Sequence, residues 1–212
     1  MDQVNRGLLI VISGPSGAGK GTICKALLEE NHNLHISVSA TTRSPRAGEV
    51  EGVNYYFLDK ETFKERIEAG DFLEYAEVYG NYYGTPKSKV EEMLMSGKDV
   101  ILEIDIQGAL KVKDNCKEGI FIFILPPSME ELKQRIIKRG SETPESLMTR
   151  FKSAYQEINY ISKYNYAVVN DEVHKAVNKI EAILTAERCR VDRIKENILD
   201  SKEGFIHEQL YD

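Results

Sequence analysis

Short apolar runs recur along the chain, and between them apolar residues return at helical spacing. The runs are Leu8–Ser13, His35–Ser39, Val100–Asp105, Ile120–Leu125 and Tyr166–Val169. Several are continuous rather than alternating, the pattern of strands covered on both faces. Helical patterns lie between them. Thr22–Glu30 puts Ile23, Leu27 and Leu28 on one side, Lys87–Ser96 carries Val90, Met93 and Leu94, and Ser128–Lys138 carries Met129, Leu132, Ile136 and Ile137. Pro144–Ser162 places Leu147, Phe151, Ala154, Ile158 and Ile161 at alternating four- and three-residue steps, and Val173–Arg193 reads as a long last helix before a polar tail. Strands alternating with helices predict an α/β fold, a parallel doubly wound sheet with helices on both faces.

The alternation breaks twice. Between about Thr41 and Lys87 the chain reads as short strands, Tyr55–Leu58 and Phe72–Val78, around one short helix that Asp59 can cap. Tyrosines gather there: Tyr55, Tyr56, Tyr75, Tyr79, Tyr82 and Tyr83. This predicts a small antiparallel lobe inserted in the core. The second break is Lys138–Thr143, a polar loop between two helices, with Thr143 as N-cap and Pro144 at the first helical position. Both breaks suit parts that move over a ligand held at the strand ends.

The first run leads into Gly14-Pro15-Ser16-Gly17-Ala18-Gly19-Lys20-Gly21-Thr22 and then a helix. Strand, glycine-rich turn and helix are the setting of a phosphate-binding loop: backbone N–H groups turn inward, the helix N-terminus adds partial positive charge, and Lys20 reaches the outer phosphates. One position departs from the pattern. Gly21 follows the lysine where a Ser or Thr is usual, and the hydroxyl arrives one residue later, at Thr22.

Three further groups carry candidate chemistry. Arg43 and Arg46 lie three apart in a turn-rich stretch, and their guanidinium forks suit a phosphate; a solvated loop is the alternative. Glu103 and Asp105 end a buried-type strand and share a face, so one can hold a Mg²⁺-bound water and the other can accept hydrogen bonds from a base. For Asp105 the alternative is a cap on the following helix. Arg135, Arg139 and Arg150 bracket the polar loop, as charge-stabilising groups around a moving phosphoryl would; a solvated basic face is the alternative for any one of them.

Composition narrows the partners. A net charge of −6 argues against a nucleic-acid-coating surface and for a free nucleotide in the loop. Cys24, Cys116 and Cys189 are scattered, which implies reduced thiols and a cytoplasmic location, and with His32, His35, His174 and His207 they form no metal-ligand spacing. No apolar run reaches membrane-spanning length, and the N-terminus lacks a secretory apolar region.

The chain resembles the guanylate kinase family, and its bacterial members in the helical extension after Arg188. The likeness is carried by Gly14–Lys20, Ser37–Glu49, Gly80–Thr85, Glu103–Gly108, Pro126–Ser128 and Val169–Asp171, and it spans nearly the whole chain to about Arg193. It implies ATP-dependent phosphorylation of GMP to GDP, with dGMP as a compatible acceptor. ATP would lie on Gly14, Pro15, Ser16, Gly17, Ala18, Gly19, Lys20, Gly21 and Thr22, with Arg135, Arg139 and, at adenine, Asn170. GMP would be lined by Ser39, Arg43, Arg46, Tyr55, Glu74, Tyr83, Thr85 and Asp105, joined by Glu103 and Arg150. Arg43, Arg46, Tyr55 and Tyr83 would hold its phosphate, and Ser39, Glu74 and Asp105 would face guanine. Lys20, Arg43, Arg135, Arg139 and Arg150 form the expected catalytic set. Mg²⁺ is expected on the nucleotide phosphates and water, with Thr22 and Glu103 as the protein groups nearest to it. The division that follows is a core of 1–35, 88–135 and 163–212, a GMP-binding lobe of 36–87 and a lid of 136–162. A homo-oligomer is compatible with the sequence. Two rival readings are a P-loop kinase for AMP, UMP or a sugar acid, and a catalytically silent relative that binds phosphopeptides.

Overall fold

The computed structural model describes residues 6–78, 80–138 and 144–193. The first apolar run forms β1 (Leu9–Ser13), buried throughout, and the glycine-rich turn carries it into α1 (Lys20–Glu30) and β2 (Leu34–Ile36). The chain then builds β3 (Ala40–Thr41), β4 (Tyr56–Phe57), α2 (Lys60–Glu68), β5 (Phe72–Val78) and β6 (Asn81–Pro86). It returns through α3 (Lys87–Met95), β7 (Asp99–Glu103), α4 (Ile106–Asn115), β8 (Ile120–Leu125), α5 (Met129–Lys138) and α6 (Pro144–Ile158). A 3-10 turn at Asn159–Lys163, β9 (Tyr166–Val169) and α7 (Val173–Arg188) complete the described elements.

The large sheet has five parallel strands in the order β2-β7-β1-β8-β9. Register explains why β1 is apolar at every position. Ile10 and Ile12 face one core with Ile23 and Leu27 of α1 and Val177, Ile180 and Leu184 of α7. Leu9 and Val11 face a second core with Val90 and Leu94 of α3 and Ala109 and Val112 of α4. Alternate residues of a strand point to opposite faces, so a strand sandwiched between helix layers must be apolar throughout.

The small sheet runs β4-β3-β6-β5. It is mixed rather than antiparallel, because β3 and β4 pair in parallel. The chain leaves β3, crosses the turn-rich segment containing Arg43 and Arg46, and comes back beside β3 in the same direction; a tight hairpin would have reversed it. Phe63 of α2 is fully buried and stacks on Phe72 at 4.4 Å and Tyr82 at 5.4 Å, giving this sheet its own core. Asp59 caps α2 as expected, accepting from the Thr62 N–H at 2.7 Å. β5 also leans on α4, where Lys111 donates to the Tyr75 carbonyl at 2.7 Å.

Several boundaries differ from the sequence expectation. α1 begins at Lys20 rather than Thr22, with left-handed Gly19 as its N-cap. β2 stops at Ile36 because, after the Ser37 N–H bonds Ile101 O, the chain crosses to the small sheet. α6 gives way to the 3-10 turn after Ile158, and α7 ends at Arg188. The polar loop with Arg139 and Thr143, Tyr79, and the tail after Leu199 lie outside the described residues.

Candidate active site

The cradle is shaped by what its glycines leave room for. Gly14 has φ 143°, and a Cβ there would stand 2.3 Å from the Ile124 carbonyl of β8. Gly17, at φ 89°, lies under α5, where a Cβ would meet Leu132 and Ile136 at 3.0 Å. Gly19 starts α1 with no side-chain cap, so the first N–H groups of the helix stay available to an anion. Lys20 Nζ bonds the Gly14 carbonyl at 2.6 Å and the Pro15 carbonyl at 3.2 Å, fastening the loop across its mouth.

The cavity beside this loop measures about 260 Å³, and Glu103, Asp105, Ile106 and Glu157 complete its wall. Mononucleotide-sized ligands need roughly 300–1,000 Å³, so this space suits phosphates, and a whole nucleotide must extend beyond it. Thr22 lies at an exposed position of α1. Gly21 has a different meaning. A Cβ on it would come within 3.3 Å of Glu103 Oε1, so the missing side chain leaves room for a carboxylate at the start of α1. Among the described residues no three His, Cys, Asp or Glu side chains converge as a metal cage. Glu103, a hard carboxylate beside a phosphate cradle, fits Mg²⁺, which keeps several waters and takes its other ligands from phosphate. Cys24, next to this carboxylate, has its thiol pushed up to about 12, first by burial and then by Glu103, so it is no nucleophile.

A second group of residues converges where the small sheet meets α4. Asp105 caps α4, its Oδ1 accepting from the Gly108 N–H at 2.7 Å. The capping alternative is therefore realised for that oxygen. Glu74 of β5 reaches the same spot: a Cβ on Gly108 would lie 3.3 Å from Glu74 Oε2 and 3.4 Å from Asp105 Oδ1. Buried Thr85 donates to Glu74 Oε1 at 2.7 Å. Burial raises the Glu74 carboxyl above its ordinary range; the Thr85 bond opposes this and the Asp105 charge adds to it.

Arg43 is held by Glu49 through two bonds, at 3.0 and 2.9 Å, and Glu49 also accepts from the Arg46 N–H at 2.8 Å. The Arg43 guanidinium holds the Glu49 carboxyl below its usual range. Arg43 stands 5.6 Å over the Tyr55 ring, and Tyr55 meets Tyr83 edge-on at 6.1 Å. The Arg46 residue is exposed, and Ser39 is half-buried with its carbonyl bonded to the Tyr56 N–H at 2.9 Å.

The structure thus brings Gly14–Gly21, Lys20, Glu103 and Asp105 together, joins Glu74 and Thr85 to them at Asp105, and groups Arg43, Arg46, Tyr55 and Tyr83 on the small sheet and its turn. Arg135 pairs with Glu131 at 3.0 Å and donates to the Asn170 carbonyl at 3.2 Å. Asn170 is 4% exposed, and its amide donates to Ala18 O at 2.8 Å. Arg139 lies outside the described residues, and of Arg150 only the backbone, on α6, is described. Sequence reasoning missed Glu49, Glu157 and Gly108. Glu49 ended a run already singled out, so its spacing from Arg43 was a usable signal. Glu157, whose Oε2 accepts from the Ser16 N–H at 3.4 Å, occupies an ordinary polar position of a helix and gave none.

An open parallel sheet, a glycine cradle closed by its own lysine and an acidic pocket adjoining that cradle define a P-loop phosphotransferase acting on a nucleotide. The guanylate kinase family model matches residues 6–187. A guanylate kinase of Clostridium perfringens (strain SM101 / Type A) is 79% identical over 98% of this chain and 96% of its own length. One of Clostridium tetani is 75% identical over 99% of this chain and 100% of its own. The crystal structure of guanylate kinase from Anaplasma phagocytophilum superimposes with a TM-score of 0.71 at 36% identity, covering 93% of this chain and 96% of that one. The chain belongs to the guanylate kinase family, enzymes that phosphorylate GMP to GDP with ATP.

Proposed function

We propose that ATP lies with its phosphates on Gly14–Thr22 and that GMP lies in the lobe of residues 36–87, phosphate on Arg43, Arg46, Tyr55 and Tyr83 and base toward Ser39, Glu74, Thr85 and Asp105. The observation that carries this reading is the meeting of Glu74 and Asp105 at Gly108, beside the phosphate cavity. Guanine offers N1–H and N2–H₂ on its pairing edge, and a carboxylate accepts from both. Adenine has an acceptor at N1 and would set a lone pair against that carboxylate. Each charged hydrogen bond is worth about 1.5–3 kcal/mol, enough for tenfold discrimination or more.

The acceptor phosphate attacks the γ-phosphoryl group in line, with no covalent enzyme intermediate. The chain's contribution is positioning and electrostatics. Lys20 and the cradle N–H groups neutralise the donor phosphates, Arg43 orients the acceptor, Arg135 faces the donor from the core of 1–35, 88–135 and 163–212, and Arg139 and Arg150 close over it with the lid of 136–162. Closure excludes water, which would otherwise hydrolyse ATP. Mg²⁺, bound through phosphate oxygens with Glu103 on its waters, would neutralise charge on the transferring group. The residues assigned to GMP are placed at its phosphate and base, a reading that also accommodates dGMP as acceptor. Among the described residues no helix is long and apolar enough to cross a membrane. Free nucleotides as substrates and three reduced thiols fit a cytoplasmic enzyme.

An assay with ATP, Mg²⁺ and equal concentrations of GMP, dGMP, AMP and UMP tests the reading. GMP is expected to be consumed fastest by at least about tenfold over AMP and UMP. Faster consumption of either of those two overturns it.

The pH dependence tests Glu74. GMP recognition needs the carboxylate, and this carboxyl is raised above its ordinary value of 4.5. As pH falls, Glu74 takes up a proton earlier than an ordinary glutamate, so the KM for GMP should climb while the pH is still above 4.5. The KM for ATP should stay flat there, and Glu74→Gln should remove the GMP dependence. The stability sign is opposite: a raised carboxyl contributes stability below its unfolded value and loses it as pH rises through the folded one. At neutral pH the free enzyme therefore carries Glu74 as a cost that guanine relieves.

A further inference from the structure

We propose that Asn170 is a positioning residue that sets the orientation of the glycine cradle, acting on the phosphates of any triphosphate donor and not through the adenine base. The proposal rests on the reading that the cradle holds the donor phosphates.

Asn170 follows β9 directly and is buried. Its N–H donates to the Leu125 carbonyl at 2.8 Å, which fixes its backbone to the end of β8. Its side-chain Nδ2 donates to the Ala18 carbonyl at 2.8 Å, in the middle of the loop. Ala18 is itself fully buried, and its N–H bonds the Pro15 carbonyl at 3.1 Å. The peptide joining Ala18 to Gly19 is trans, so its C=O and N–H point in opposite directions. Holding the Ala18 carbonyl on Asn170 therefore aims the Gly19 N–H the other way. A cradle for anions needs its N–H groups turned in and its carbonyls turned out, and Asn170 holds one such carbonyl out.

A second observation fits the same role. A Cβ on Gly19 would stand 2.3 Å from Asn170 Nδ2, so the amide fills the space a side chain would need. Gly19, at φ 92°, is required both by its left-handed turn and by this wedge. The Asn170 carbonyl also accepts from Arg135 Nη2, so one residue holds both the loop and an arginine expected to neutralise the moving phosphoryl. One Nδ2 hydrogen is committed to Ala18, and the residue, 4% exposed, packs its amide against the loop.

The test uses the full-length enzyme with Asn170→Ala and Asn170→Asp. Binding of magnesium tripolyphosphate, which has phosphates but no base, should weaken about tenfold in Asn170→Ala, the loss of a buried hydrogen bond whose acceptor is left unpaired. The KM for ATP and for ITP, which lacks the 6-amino group, should rise by the same factor, with the KM for GMP unchanged. Asn170→Asp should be impaired at neutral pH, where its carboxylate faces the Ala18 carbonyl. It should recover donor affinity as pH falls and the protonated acid donates again. That acid recovery is a signature a general loss of packing does not produce, and it decides the matter alone if the alanine variant does not fold. Unchanged tripolyphosphate binding with an altered ATP-to-ITP preference would assign Asn170 to adenine and overturn the proposal. Equal losses for ATP and GMP, with a lower thermal midpoint and no acid recovery, would overturn it in favour of a purely structural role. Wild-type turnover of GMP, measured in parallel, tests the functional reading separately, because the tripolyphosphate result stands without it.

Discussion

Lys20→Ala should lower kcat by roughly 10²–10³, the cost of removing one preorganised charge from a phosphoryl-transfer site. The geometry gives two reasons. The ammonium fastens the loop through the Gly14 and Pro15 carbonyls, and it is the cation set into the cradle itself. A phosphate entering the cavity meets a charge already held by the loop, which needs little rearrangement at the moment of transfer. The KM for ATP should rise as well, while GMP binding, measured by equilibrium dialysis without ATP, should be unaffected because Lys20 is not among the residues assigned to GMP. A coupled assay for ADP release reads the first effect. Wild-type turnover in the variant would remove the loop from the mechanism, and absence of turnover in wild type would favour a silent binding module.

Arg43→Ala should raise the KM for GMP by roughly 10²-fold and that for ATP by no more than about threefold. Part of the loss is the guanidinium fork. The rest comes from Glu49, which in this structure is neutralised by Arg43 and holds the Arg46 N–H. With Arg43 gone, Glu49 becomes an uncompensated negative charge next to where the GMP phosphate is expected. Adding Glu49→Gln to the variant should therefore recover several-fold in GMP affinity, a coupling that a double-mutant cycle measures. Equal rises for both substrates, or no recovery in the double variant, would show that Arg43 acts on overall structure instead.

The large sheet was legible because its strands are continuous apolar runs, and Ile120–Leu125 and Tyr166–Val169 match their strands end to end. The small sheet was half legible. β5 has an ordinary strand composition, whereas β6 reads Asn-Tyr-Tyr-Gly-Thr-Pro and owes its extended form to β3 and β5 on either side. Its Gly84 shows why propensity fails there: a Cβ would lie 2.9 Å from the Glu74 carbonyl, so the glycine is selected by a neighbouring strand. The same holds at the site. Lys20 and Arg43 stand in local patterns with a chemical meaning. Gly108 and Glu157 take theirs from residues about 34 and 141 positions away, and no local spacing records such a contact. Gly21, a gap in the expected loop pattern, becomes intelligible only with the Glu103 carboxylate lying against it.

The register of β1 has a consequence for how the chain is made. β1 pairs with β7 and β8, so it has no partner until synthesis has passed Glu103 and lacks the second until it has passed Leu125. At ribosomal rates of about 5–20 residues per second, its five residues wait on the order of 5–20 s without a strand beside them. Local units such as α2 with Phe63 can order before β1 is paired, and shielding the nascent β1 segment over that interval would favour productive folding.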